Sequence, residues 1–377
     1  MASANDHNNQ QRGGKKSSLG APFAIQIPSS LQDPKDNVVS CEQFECLKND
    51  DNARDVALNH IHNHEHFATV WNSTKTRPNT RRLMRKVVQM QTINATYNRF
   101  FRLPDGTKID LNENKLTYAA ENTQQYGNDY EYDTVFQQKT YEQCSQVFVV
   151  NGDCLDVAMC FKMIYPNSNS VVLNMASSRH PGGGWKNGAG AQEENLHRRT
   201  NMFQCLEDPY HELEGQRDWL YYVPEFGGIY CPNFGGIYCP NVSIFRGSES
   251  NGYPFFPDGP VYISFIACAA YSHPATEKDE NEELKLSDKH RIESTKKKME
   301  AIFKIALENQ HDVLILSAFG CGAFQNPPKH IVFAIIDDHN AKKNHNPIGN
   351  VQPFVEIFQA NILSIDELRE QLRNTEV

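Results

Sequence analysis

The chain lacks any long hydrophobic run. No apolar stretch approaches the roughly 20 residues a bilayer crossing needs, and the N-terminus has no apolar core of a signal peptide, so the sequence predicts a protein of the cytoplasm or nucleus with no membrane partner. An excess of positive charge is also missing: 37 Lys and Arg stand against 46 Asp and Glu, for a formal net charge of -9. Surfaces that bind nucleic acid or anionic membranes need clustered cations, so direct nucleic-acid binding is not expected, while a local basic pocket for an anionic ligand stays open. The 10 cysteines lack the dense spacing of a disulfide framework, and neither Cys41 with Cys46 nor Cys231 with Cys239 completes a zinc set. Reduced thiols are expected. No Gly-Lys-Ser/Thr follows a glycine cluster and no dinucleotide fingerprint is present, which excludes a P-loop and a Rossmann-type phosphate turn.

What is there is a chain of 377 residues with 39% hydrophobic and 22% charged content, enough for one large core. Residues 1–75 are expected as a polar, largely disordered leader, residues 76–145 as a helical extension packed on the main domain, and residues 146–377 as the main domain itself. His60, His62, His64 and His66 alternate, which on an extended strand would place four imidazoles on one face; a solvated patch is favoured over a metal site. From Thr80 to Arg99, Leu83, Val87 and Met90 recur at helical spacing, and Leu103 to Thr107 reads as a turn.

A regular alternation begins near residue 146. Strands are expected at Val147–Val150, Val171–Met175, Val242–Phe245, Val261–Cys268, Val313–Leu316 and Phe354–Phe358. Helices are expected at Leu155–Ile164, Gln192–Cys205, around Ile292–Ala306 and from Pro327-Pro328 onward. That order argues for an α/β sandwich on a parallel or mixed sheet. Between these elements Phe226-Gly-Gly-Ile-Tyr-Cys-Pro-Asn233 is repeated at once as residues 234–241. The duplication is expected to lengthen a surface loop or hairpin, with the second copy in the structural position because a strand follows it.

Two glycine loops, Gly182-Gly183-Gly184 and Gly320-Cys321-Gly322, each follow an expected strand, where open α/β sheets bind ligands and backbone N–H groups meet anions. A pair of such loops suits a diphosphate, although each alone could be a tight turn. Gln192-Glu193-Glu194 opens the helix after the first loop. A carboxyl there could protonate a glycosidic oxygen and then activate water, or it could merely complement the helix dipole. Adjacent helical residues point about 100° apart, so the two glutamates are not expected to flank one bond as a matched pair.

The run from Asn174 through His180-Pro-Gly-Gly-Gly-Trp185 to Gln192-Glu-Glu194 resembles the signature of microbial-type poly(ADP-ribose) glycohydrolases, and the likeness continues in residues 237–246, 264–270 and 317–327. The resemblance implies a macrodomain-like three-layer α/β/α sandwich with a mixed sheet, acting on poly(ADP-ribose) or ADP-ribosylated proteins without cofactor or metal, as a monomer that reverses ADP-ribosylation in the DNA damage response. It implies Glu194 as acid/base and Glu193 orienting the ribose beside the scissile ribose–ribose bond. Gly182, Gly183 and Gly184 would shape the catalytic loop, Gln192 would join them in binding the substrate, and Asn174 would support the scissile ribose. Gly320, Cys321, Gly322 and Ala323 would cradle the diphosphate, Phe324 would pack on the distal ribose or adenine, and Asp153 would meet the adenine amino group. A non-catalytic ADP-ribose reader and a mono-ADP-ribosyl hydrolase are the alternatives. Arg179, Lys186, Arg198 and Arg199 are read either as local positive charge for the ligand or as ordinary surface groups.

Overall fold

Among the described residues, four helices come before the first strand. The computed structural model describes residues 38–128, 130, 146–206, 222–223, 228–229, 231–328, 331 and 361–374. Helices α1 (Cys41–Glu45), α2 (Asp50–Asn59), α3 (His64–Ser73) and α4 (Pro78–Asn98) each start where a side chain or a proline suits a helix N-terminus: Ser40 and Gln43 form a capping box, Asn49 and Asn63 cap α2 and α3, and Pro78 opens α4. The leader expected to run to residue 75 therefore contains three helices. Their apolar faces explain why: Phe44, Ala53, Val56, Phe67 and Val70 close over Leu83, Met84, Val87 and Val88 of α4. A run that looks polar on average still folds when its few apolar residues share one face.

The alternating histidines do not lie on a strand. His60 ends α2, while His64 and His66 lie in α3. His62 is buried with Nε2 against the Gly252 carbonyl, and His66 Nδ1 donates to the Val39 carbonyl. Helix-capping Asn63 outweighs the alternation, so the histidines become packing groups rather than a solvated patch. Among the described residues, no group of three or more His, Cys, Asp or Glu side chains is placed to hold a metal ion.

The hairpin β1 (Phe100–Arg102) and β2 (Lys108–Asp110) turns through Leu103–Thr107, and α5 (Glu113–Glu121) and β3 (Gln124–Tyr126) occupy text that shows no period in the sequence. Next come β4 (Val149–Val150), α6 (Cys154–Ile164), β5 (Ser170–Met175), α7 (Gln192–Arg199) and α8 (Met202–Leu206). The helix expected over Gln192–Cys205 is thus two, because Thr200 leaves it in an extended conformation and bridges to Ile244. Then follow β6 (Tyr222–Val223), β7 (Gly228–Ile229), β8 (Gly236–Ile244), β9 (Val261–Cys268), β10 (Thr276–Lys278) and β11 (Leu284–Leu286). The chain continues through α9 (Lys289–Glu308), β12 (Val313–Ile315), β13 (Ile362–Leu363) and α10 (Ile365–Asn374). The strand expected at Phe354–Phe358 lies outside the described residues.

The main sheet has the order β12-β5-β9-β8-β3, with β12, β5 and β9 parallel and β8 antiparallel to β9. Side-chain alternation along β5 sends Val172 to one face with α6, α8 and α10, and Val171 and Leu173 to the other with α9. This is the expected mixed sheet between two helical layers. Because β12 and β5 are neighbours and parallel, the loops that follow them leave the same edge. The second copy of the octapeptide forms the start of β8, as expected. In the first copy Gly228–Ile229 forms β7, paired with β6 just before the copy, and Cys231 is buried and donates to the Ala267 carbonyl. No helix among the described residues is long and apolar enough to cross a membrane.

Phe67, fully buried and packed edge-on against Phe44 and Tyr253, joins α3 to α1 and to the segment between β8 and β9. Phe67→Ala is expected to cost about 3–5 kcal/mol of unfolding free energy, read as a lower urea midpoint at unchanged slope.

Candidate active site

The three side chains that open α7 serve three separate purposes. Gln192 clamps the end of β5, its Oε1 accepting from the Met175 N–H at 2.8 Å and its Nε2 donating to the Leu173 carbonyl at 2.7 Å. Glu193 turns to the glycine loop and takes the N–H of Ser177 at 2.7 Å on Oε2 and that of Gly182 at 3.0 Å on Oε1. Glu194 takes the Gly184 N–H at 2.9 Å on Oε1, and its Oε2 is buried with no hydrogen-bond partner. Dipole complementation alone would leave these carboxylates in solvent beside their own helix; here both are buried, Glu193 at 4% and Glu194 at 8% exposure. Although adjacent on the helix, they converge on one loop.

That convergence requires glycine. Gly183 has φ +56°, and a Cβ there would lie 2.6 Å from Glu194 Oε1 and 3.1 Å from Glu193 Oε2. Farther along, a Cβ on Gly188, at φ +76°, would lie 2.3 Å from the Arg82 carbonyl of α4. The helical extension therefore presses its backbone directly on the segment between the glycines and α7.

A side-chain network backs this contact. Arg85 of α4 pairs bidentately with Glu249 at 2.7 and 2.9 Å, Glu249 accepts from the Tyr253 hydroxyl at 2.8 Å, and Arg198 donates to that hydroxyl at 2.9 Å and to the Ala189 carbonyl at 2.7 Å. The neighbouring Arg199, also fully buried, reaches Asp153 at 2.7 Å and Asp156 at 3.1 Å. Burial lifts the Asp156 carboxyl above its usual range against the opposing pull of Arg199. Of the four cations near the loop, Arg198 and Arg199 thus belong to the framework, and Arg179 and Lys186 are exposed. Arg85, Glu249 and Tyr253 carry no local sequence signal, since Arg85 and Glu249 are 164 residues apart.

The other expected residues divide. Asn174 is fully buried on β5 with Nδ2 3.6 Å from the Met202 sulfur and Oδ1 without a partner. Asp153 caps α6, its Oδ1 accepting from Leu155 and Asp156 N–H groups as well as from Arg199. After β12, Cys321 is buried in the α9-side core, Gly322 and Ala323 are exposed and Phe324 is half-buried. Within this loop Cys321, Gln325 and Asn326 spend their N–H groups on Ala318, Gly322 and Gly320 carbonyls, while no bond among the described residues uses the N–H of Gly322, Ala323 or Phe324. Consecutive N–H groups left unspent are the kind of donor that anions meet. The Cys321 thiol is pushed up to about 12 by burial, so it adds no negative charge there.

Residues 89–247 match the family model of the microbial-type PARG catalytic domain, a segment that takes in the second half of α4, the glycine loop, Gln192-Glu193-Glu194 and β8. The fold is similar to the crystal structure of poly(ADP-ribose) glycohydrolase from Thermomonospora curvata, at 19% identity and a TM-score of 0.53 over 77% of this chain and 98% of that one. The same enzyme bound to the inhibitor ADP-HPD aligns at 21% identity and a TM-score of 0.50, over 67% of this chain and 84% of that one. No curated protein matches. The expected family resemblance and the mixed α/β fold are borne out.

Gly183→Ala is expected to displace both carboxylates. A methyl in that space predicts about a 100-fold loss in turnover together with a lowered melting temperature, because the loop bonds to Glu193 and Glu194 are disturbed and alanine is strained at positive φ, measured by kinetics and calorimetry side by side.

Proposed function

We propose that the protein hydrolyses the ribose–ribose O-glycosidic bond of poly(ADP-ribose) and releases ADP-ribose, with Glu194 as acid and then base. The observation that carries this reading is the Glu194 carboxyl, anchored through Oε1 to the Gly184 N–H with Oε2 left unspent. A protonated Oε2 has one hydrogen to give and, at this position, only a bound ligand to give it to. Transfer to the bridging oxygen releases one ribose as an alcohol and leaves oxocarbenium character on the other. The carboxylate so formed takes a proton from the attacking water, which restores the acid.

Glu193 stands beside this bond and orients the ribose. Its two oxygens accept the Ser177 and Gly182 N–H groups, which fixes the carboxyl against the loop where the ribose would lie. Asn174 Oδ1 offers another buried acceptor for that ribose. The diphosphate would lie on the free N–H groups of Gly322, Ala323 and Phe324, with the Phe324 ring against the distal ribose or adenine. Asp153, for all its ties to Arg199 and α6, is assigned to the adenine end on resemblance alone. The family match over residues 89–247 supports the assignment of substrate, since it covers the glycine loop and both glutamates. Substrates on this reading are chains free or attached to proteins.

Glu194→Gln keeps the Gly184 bond and removes the acid. It is expected to lower kcat on labelled poly(ADP-ribose) by at least about 100-fold while polymer binding persists. Binding without turnover in the unmodified protein would select the reader, and release of ADP-ribose from singly modified protein but not from polymer would select the mono-ADP-ribosyl hydrolase.

A further inference from the structure

A second set of cations stands at the same edge of the sheet and has no part in the mechanism above. Arg291, in the first turn of α9, holds its guanidinium 4.2 Å from the centre of the Tyr271 ring, and Lys298 holds Nζ 4.6 Å from the same ring. Lys297 lies 5.6 Å and Lys298 5.9 Å from the Phe234 ring. Arg291 and Lys297 are exposed, and neither is ion-paired with a carboxylate among the described residues. In a chain of net charge -9, cations stacked on rings and left without counter-charges are placed for an incoming anion.

The ledge is fixed rather than loose. Buried Lys298 donates to the carbonyl and the side-chain oxygen of Asn233, at 2.5 and 2.9 Å. Asn233 ends the first copy of the duplicated octapeptide and Phe234 begins the second, so this junction exists only because of the duplication; a single copy would put Glu225 before that phenylalanine. On one side the ledge is bound to the loop after β12, through Asn326 Nδ2 to the Tyr271 carbonyl at 2.7 Å and the His273 N–H to the Phe324 carbonyl at 2.8 Å. On the other side Cys231 lies two residues before Asn233, and its thiol is raised by desolvation and, among weaker causes, by the charge of Glu193.

Sheet order then gives direction. The Phe324 loop follows β12, the glycine loop follows β5, Tyr271 follows β9 and Phe234 precedes β8, in spatial sequence. A chain lying with one diphosphate on the Phe324 loop and its scissile bond at Glu194 would continue across β9 and β8. We propose that Arg291, Lys297, Tyr271 and Phe234 form a second subsite, which takes the diphosphate and adenine of the ADP-ribose unit on the far side of the bond being cut. A guanidinium held flat on a ring presents its N–H edge to a phosphate, and aromatic faces accept a base whatever its sequence context. This inference rests on the polymer-hydrolase reading.

The test compares Arg291→Gln/Lys297→Gln with the unmodified full chain on two substrates, long poly(ADP-ribose) and an aryl O-glycoside of ADP-ribose that lacks a second unit. The expected result is a KM for polymer about tenfold higher, with kcat on polymer and both constants on the glycoside unchanged, and a weaker salt dependence of polymer binding. Equal losses on both substrates, or no change on either, would overturn the subsite. If the double variant melts well below the parent, Lys297→Gln alone is scored by the same criteria. If the unmodified protein cleaves neither substrate, the hydrolase reading falls. The subsite is then judged by binding: a tenfold loss for polymer with unchanged affinity for free ADP-ribose keeps it, and parallel affinities overturn it.

Discussion

Two carboxylates at the start of one helix hold the glycine loop in place, and most of the site depends on those bonds. Hydrogen bonds from backbone N–H groups contribute about 0.5–1.5 kcal/mol each, and Glu193 and Glu194 accept three of them. The same bonds are what allow both side chains to be buried, because a carboxylate removed from water without partners would be costly. Loop and helix are therefore one unit. The Gly182 and Gly184 N–H groups point at α7 only in this loop conformation, and α7 can begin with two buried acids only while the loop supplies donors.

A unit of this kind works only if the far end of α7 is also fixed. Arg198 and Arg199 at that end are wholly buried: one reaches Tyr253 and Ala189, the other joins the α6 carboxylates Asp153 and Asp156 and donates to the Arg246 carbonyl. Removing one partner of such a buried pair costs about 3–5 kcal/mol, since the remaining charge stays in the interior. The helical extension adds the third constraint, with α4 against Gly188 and Arg85 tied to Glu249. Its core thus has a second effect beyond stability, because α2 and α3 hold α4 against the loop that the glutamates close.

The parts of this arrangement legible in the sequence are those encoded within one turn or one strand. Val171–Met175 showed as a buried strand, Gly182 to Gly184 as a break, and Gln192 to Glu194 as a helix start, each from neighbours in the chain. The helices over Cys41–Ser73 were obscured because only a few residues per helix, such as Phe44, Val56 and Phe67, face the core, and average polarity hides a narrow stripe. The exit of Thr200 from α7 was hidden because its cause, the bridge to Ile244, is 44 residues away in the numbering and adjacent in space. Arg198 could be read as a ligand cation or as surface until Tyr253 and Ala189 accepted from its Nε and one terminal nitrogen. Pattern reports the face a residue turns toward; it does not report what stands opposite.

The duplicated octapeptide makes the same point within a single chain. Identical residues take two roles: Tyr238-Cys239-Pro240-Asn241 lies in β8, where the register shifts between Cys239 and Val242 and Asn241 adopts φ +49°, whereas Cys231-Pro232-Asn233 lies outside any strand. Local propensity cannot distinguish them. What does is the partner each finds, since the second copy is followed by Val242-Ser-Ile244, which pairs with Val261 to Ile263 and fixes β8 in the sheet. The first copy has no such continuation, so its end is used differently: the Cys231 thiol bonds the Ala267 carbonyl and Asn233 receives Lys298. An insertion that merely lengthened a loop would leave these groups in water. Cys231 and Lys298 are buried instead, so the end of the first copy is packed against the sheet edge rather than left as a loop in solvent.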